Sequence, residues 1–273
     1  MEETKMSIKL AVQLYSVRDF AKADLFSTLK KIKEMGYDGV EFAGLHENTP
    51  QDVKKMCDEI GITPISAHVG FNLMLENAQK VISDYETIGV KYLGISSIAK
   101  EYRPMTENFD KVFDLFEKWG KLAKEHGIQL MYHNHDFEFV KIDGKYAIDI
   151  IYDKVSADAL TAEFDTCWIR SPGEDPIKYI NKYKGRVPVL HFKDFFGSKF
   201  EDPNREDGVF PKKAENHEYR SVGGGIVDIK GCLAAAKECG TSWIVVEQDH
   251  PTSGFTSIEC AELSCKYLRS LDL

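Results

Sequence analysis

The chain has 273 residues, of which 43% are hydrophobic and 29% charged, and a net charge of −9. That balance belongs to a globular protein in solution and argues against a general nucleic-acid binder, which needs a surplus of Lys and Arg on one face. No apolar run approaches the roughly 20 residues of a membrane span. The charged start MEETKMSIKLAVQ lacks a signal peptide's apolar segment, so the expected location is the cytoplasm, a removed leader aside.

Taken in order, short apolar runs alternate with longer amphipathic ones. IKLAVQLYS reads as a strand ending near Gln13, followed by the helical pattern LFSTLKKIKEMG. DGVEFAG ends near Glu41 and leads to VKKMCDEIG; PISAHVG ends at His68; KYLGIS leads to FDKVFDLFEKWGKLAKEHG. Then come IQLMYHNH, LTAEFDT, VPVLHFKD, the helical GCLAAAKECG, and WIVVEQD. Gly36, Gly61, Gly127 and Gly240 close helical patterns, as residues suited to the left-handed cap.

Eight strand-plus-helix units of roughly 30 residues predict an α/β fold, a (β/α)8 TIM barrel, as one domain over residues 1–273. A doubly wound sheet would carry a Gly-rich phosphate loop after its first strand. The chain has QLYSVRDF there, and no Pro-, Gly- or Ser-rich linker divides it. The polar connection 195–225, with Pro203, Pro211 and the triplet Gly223-Gly224-Gly225, is long enough to suggest function. It follows the seventh strand and is expected over the face where barrel active sites lie. The triplet precedes a helix start, where it would hold an anion or serve as a hinge. The six cysteines form no C-x-x-C pair and read as reduced structural thiols.

Residues two apart on a strand share a face. His133 and His135 pair in this way, as do Glu163 and Asp165, His191 and Lys193, and Glu247 and Asp249. Four consecutive strands thus end in an imidazole or carboxylate, with Gln13, Glu41 and His68 on the other half. A lone strand-end histidine is usually a packed or surface residue, and a lone Asp165 or Glu247 has a ready role as a cap or ion-pair partner. Four in phase point instead to a shared cation, because burying so many ionisable groups is costly without a partner. Imidazole with carboxylate suits one divalent ion, Mn, Co, Fe or Zn more readily than Mg. Trp168 and Phe71 read either as packing or as platforms for a sugar face.

Over nearly its whole length the sequence resembles the sugar phosphate isomerase/epimerase group of xylose isomerase-like TIM barrels. The likeness rests on the order and spacing of LAVQLYSVRD, GYDGVEFAG, ISAHVGFN, YHNHDFEF, EFDTCWI, VLHFKDF, VGGGIVDIKG and IVVEQDH. The resemblance implies a metal held by Glu, Asp, His and Glu from four successive strands. The last three fall on Asp165, His191 and Glu247; the first falls on His133, a departure, with His135 and then Glu138 as runners-up. It implies a small-molecule sugar substrate, no nucleic acid or membrane partner, and often a homo-oligomer. The chemistry it implies is isomerisation or epimerisation by proton abstraction beside a sugar carbonyl. Glu247 would be the base, Lys193 and His135 acid or oxyanion partners, and Gln13, Glu41, His68, Glu138 and Trp168 substrate contacts. The histidine at position 133 weakens a two-carboxylate epimerase. A lyase or hydratase acting on a 3-keto-sugar or keto-glycoside is therefore the alternative. An abasic-site DNA endonuclease, disfavoured by the charge, and a non-catalytic sugar-binding barrel are the rivals of other classes.

Overall fold

The computed structural model describes residues 7–197 and 217–273. Eight parallel strands close a barrel: β1 (Lys9–Gln13), β2 (Gly39–Phe42), β3 (Thr63–Val69), β4 (Tyr92–Ile95), β5 (Gln129–His133), β6 (Thr161–Asp165), β7 (Val189–Phe192) and β8 (Trp243–Val246). Each strand pairs with its sequence neighbours, and β8 returns to β1 with Lys9 level with Trp243. All eight expected strands are present. Both faces of each strand are covered, the outer by helices and the inner by the opposite staves. This is why the runs read as nearly continuous apolar stretches instead of alternating ones.

The barrel interior changes character with height. Its lower part is a separate buried cluster of Ala11, Ile65, Met131, Val189, Trp243 and Val245. Above it the inward positions turn polar, and Gln13, Glu41, Ser66, His133, Glu163, Asp165, His191, Lys193 and Glu247 are all buried. The main core lies between the strands and the helical ring.

The helices include α1 (Arg18–Ala23), α2 (Leu25–Glu34), α3 (Pro50–Ile60), α4 (Phe71–Ile88) and α5 (Lys111–Glu125). Gly36, Gly61, Gly127 and Gly240 all have positive φ, as their closing positions require. Helix α4, which no periodic run announced, is interrupted at Asn77, where φ is −158° and ψ 75°. Outside the barrel, Asp194–Phe196 pairs antiparallel with Glu218–Arg220, so the connection after β7 leaves and returns as a ribbon. Residues 198–216 of that connection, including Pro203 and Pro211, lie outside the described residues. All six cysteines are free and buried. Among the described residues no helix is long and apolar enough to cross a membrane.

Candidate metal centre at the barrel mouth

The strand register places the polar side chains in two tiers. His133 pairs with Glu163, and Asp165 with His191, whose own partner Val245 lies two residues before Glu247. Because barrel strands tilt, residues level in register are not level along the axis. His133, Asp165, His191 and Glu247 come together at the top, while Glu41, His68 and Glu163 sit against the same two histidines.

The lower tier is tied by hydrogen bonds. Gln13 Nε2 donates to Glu41 Oε1 over 2.6 Å, and Ser66 Oγ to Glu41 Oε2 over 2.5 Å. His191 Nε2 lies 2.8 Å from Glu41 Oε1, and His68 Nε2 lies 2.7 Å from Glu163 Oε2. Room for the His68–Glu163 contact comes from β4. A Cβ on Gly94 would stand 2.9 Å from both Glu163 Oε2 and His68 Cδ2. Burial lifts the Glu41 carboxyl above the ordinary range, and Glu163 beside it adds to the rise. Burial pulls His191 down, but the Glu163 and Glu41 carboxylates outweigh it and hold the imidazole well above its usual value.

In the upper tier, one donor atom from each of His133, Asp165, His191 and Glu247 falls within 4.8 Å of the others. His133 Nε2 lies 3.9 Å from Asp165 Oδ2 and 3.8 Å from Glu247 Oε2, and His191 Nδ1 lies 3.2 Å from Glu247 Oε2. Asp165 Oδ1 accepts the backbone N–H of Trp168, while its buried Oδ2 has no hydrogen-bond partner. Burial drives the Asp165 carboxyl up to about 7. Burial and the neighbouring His191 and His68 rings hold His133 well below the usual imidazole value, so it is neutral. An orphaned carboxylate oxygen, a neutral imidazole and a second carboxylate fit a divalent cation. A second group, His68, His133, Glu163 and His191, has comparable spacing; hydrogen bonds take His68 Nε2, Glu163 Oε2 and His191 Nε2 there, while His133 Nδ1 and Glu163 Oε1 are buried without hydrogen-bond partners.

Lys193 stands at the rim of this set. Its ammonium lies 2.6 Å from Asp249 Oδ1, 3.3 Å from Glu247 Oε2 and 3.8 Å from Asp165 Oδ2. Burial works against its charge, but Glu247, Asp249 and Asp165 hold it well above the usual lysine value. Burial raises Glu247, but Lys193 and His191 outweigh that and keep it ionised. A cavity of about 780 Å³ opens over the mouth, with His68, His133, His135, Lys193, Glu247 and Asp249 at its inner end.

Several expected contacts are placed elsewhere. Glu138 is fully buried and faces the protein: it accepts from the Tyr132 hydroxyl and from the His135 backbone N–H. It therefore braces the YHNHDFEF turn and joins neither the cation set nor the cavity wall. Gln13 and Glu41 are taken up by one another, Ser66 and His191, and Trp168 lies behind Lys193, its ring 4.9 Å from the ammonium; none of the three lines the cavity. Of the expected substrate contacts, His68 alone does so. Phe71 is packing, buried against Tyr102, Phe116 and Trp119. The glycine triplet binds an internal anion. Gly223 and Gly225 N–H groups donate to Asp194 Oδ2 over 3.0 and 2.9 Å, and Val227 N–H to Oδ1. Glu163 and Asp249 were visible as same-face partners of Asp165 and Glu247, but nothing in the strand pattern gave them roles.

A family model for the xylose isomerase-like TIM barrel matches residues 29–271, and the chain belongs to that family. Among curated proteins it is 28% identical over 163 residues to an inosose dehydratase of Lacticaseibacillus casei, covering 59% of this chain and 54% of that protein. The match thus spans about half the length of that relative. A longer match, 23% identical over 265 residues, covers 89% of this chain and 87% of an inosose dehydratase of Mesomycoplasma hyopneumoniae strain J. Among solved structures, a sugar phosphate isomerase/epimerase from Parabacteroides distasonis superposes with a TM-score of 0.79 at 22% identity, over 99% of this chain and 96% of that one. The IolI protein with a bound zinc atom superposes at 0.71 and 18% identity, over 96% and 97%. At these identities the structural likenesses speak for the fold.

Proposed function

We propose that the chain is a divalent-metal-dependent sugar isomerase or epimerase that removes a proton from the carbon beside a sugar carbonyl. The observation that carries this reading is the upper tier itself, in which two carboxylates and two imidazoles converge under an open cavity with one carboxylate oxygen orphaned. His133, Asp165, His191 and Glu247 would hold the ion, which supplies Lewis-acid polarisation of the carbonyl and acidifies the neighbouring C–H. Mn, Co, Fe and Zn suit this donor set better than Mg.

The remaining work falls to the chain. Glu247 is ionised, lines the cavity and is the proposed base. The Lys193 ammonium, 3.3 Å from it, is placed to return a proton or to stabilise charge on a substrate oxygen. Burial, with the Lys193 charge adding to it, drives His135 down to about 3, so the cavity wall presents it as a neutral imidazole that can donate or accept a hydrogen bond. Glu41 orients His191: an Nε2–H directed at Glu41 turns Nδ1 toward Glu247 Oε2, 3.2 Å away, and the proposed cation set.

A second reading is water elimination from a keto-sugar or keto-glycoside, which begins with the same proton abstraction. The one-sided arrangement favours it, because Glu247 is a carboxylate and His133 occupies the place of the second. The relatives named inosose dehydratase point the same way. Metal analysis with a screen of keto-sugars in deuterated water tests both readings. Label at carbon without loss of water supports isomerisation or epimerisation, and an unsaturated product supports elimination. Tight sugar binding with neither outcome refutes the enzymatic reading in favour of a binding barrel.

A further inference from the structure

The cavity over the metal centre extends well beyond its polar floor. Its outer arm is walled by Tyr15, Leu45, Leu73, Val81 and Tyr85, continuous with the floor at His68 and Glu247. Two of the exposed large hydrophobic residues of the molecule, Leu73 at 54% and Tyr15 at 43%, stand on this wall. Exposed apolar surface inside a concavity marks a ligand site more than a surface accident.

The arm is built, not incidental. Helix α4 is broken at Asn77, whose Oδ1 accepts the Lys80 N–H over 3.0 Å and restarts the helix, so that both halves contribute to the wall. Tyr15 is braced by Arg18, whose guanidinium lies 4.1 Å from the ring centre and whose Nη1 donates to the Tyr15 carbonyl over 2.7 Å. Charge in the cavity disfavours an anionic tail. Among the described residues its lysines are Lys80 and Lys193, held by Asp84 and Asp249 at 2.6 Å each, while Glu76 and Glu247 add further negative charge.

We propose that the outer arm binds an apolar, aryl-sized group attached to the sugar, so that the substrate is an uncharged keto-glycoside whose ring, with its carbonyl, lies at the inner end. This rests on the sugar reading above and specifies its substrate class. Titration calorimetry of the metal-loaded chain with the methyl and phenyl keto-glycosides of one hexose, and with the 6-phosphate of the methyl keto-glycoside, tests it.

The phenyl glycoside is expected to bind about tenfold tighter than the methyl glycoside or more, as burial of a ring's apolar surface requires. Leu73→Asp, at an exposed position, should erase that preference and leave methyl glycoside affinity unchanged. The phosphate should bind no tighter than the methyl glycoside. Equal phenyl and methyl affinities, or a tighter phosphate, overturn the proposal while the sugar reading stands. If none of the three binds, both fall together.

Discussion

Replacing Asp165 by Asn separates a cation-binding role from a structural one. Asp165 Oδ1 caps the turn at Trp168 through a 2.9 Å hydrogen bond, and Asn retains an oxygen for that bond. Oδ2 is buried without a hydrogen-bond partner, and the carboxyl is raised from 3.8 to about 7. The unfolded chain therefore gives up this proton first. Metal-free stability falls as pH rises from about 4, and the full loss is reached above about 7. At about 1.4 kcal/mol per pH interval the loss is at most ~4 kcal/mol, and coupling to Glu247 and Lys193 shares it. In chelator at pH 8, Asp165→Asn should unfold at higher urea than the parent, by roughly 2–4 kcal/mol. With Mn added, the parent should gain melting temperature and the variant should not. A variant that is less stable in chelator and still stabilised by metal would refute the cation assignment.

Glu41→Ala leaves His191 Nε2 with only the Glu163 carboxylate, 3.3 Å away, to orient it; metal affinity by chelator competition should fall about 10–100-fold, with the barrel still folded by circular dichroism. Glu247→Gln, assayed at saturating metal because the residue is also a proposed ligand, should lower proton exchange at substrate carbon by about 10²–10⁴, read by mass spectrometry, with sugar affinity less affected. Metal affinity should decline as pH drops through about 7, because Asp165 takes up a proton in competition with the ion; a flat titration between pH 8 and 6 would contradict that. Gly225→Ala would bring a Cβ within 2.1 Å of Asp194 Oδ1 and should destabilise the chain measurably in urea, independently of metal.

The sequence disclosed the barrel because the period of strand and helix is coarse and repeats eight times, while each strand tip needs only a two-residue alternation to be read. That same alternation put His133, Asp165, His191 and Glu247 on inward faces. It could not say which inward groups face the cavity. Glu41 and Gln13 look like mouth residues in sequence, yet their polar atoms are spent on one another, on Ser66 and on His191. Glu138 was opaque for another reason: a carboxylate three residues past His135 can curl toward the site or back to its own turn, and the backbone N–H of His135 decides for the turn. The glycine triplet likewise reads as an anion nest, but the anion is Asp194, 29 residues from Gly223 in sequence. Long-range partners of this kind leave no local signature.

The histidine at position 133 is best understood through charge. Glu41, Glu163, Asp165 and Glu247 are all buried in one barrel interior, and Asp249 stands at its rim. Lys193 answers Asp249, and His68, held above the usual histidine value as Glu41 and Glu163 outweigh its burial, answers part of the lower tier. A divalent ion held there would balance Asp165 and Glu247 with two neutral ligands, His191 giving up to it the proton that Glu163 and Glu41 otherwise hold on the ring. A carboxylate at position 133 would add one more uncompensated negative charge within about 4 Å of Glu163, Asp165 and Glu247, where repulsion is costly at low dielectric. Under the proposed assignment, with His133 a neutral ligand and Glu247 the base, a single ionised carboxylate would face the substrate carbon. Within that proposal two-base epimerisation is the least suited chemistry, and proton transfer from one face, with or without departure of a hydroxyl, suits the site better.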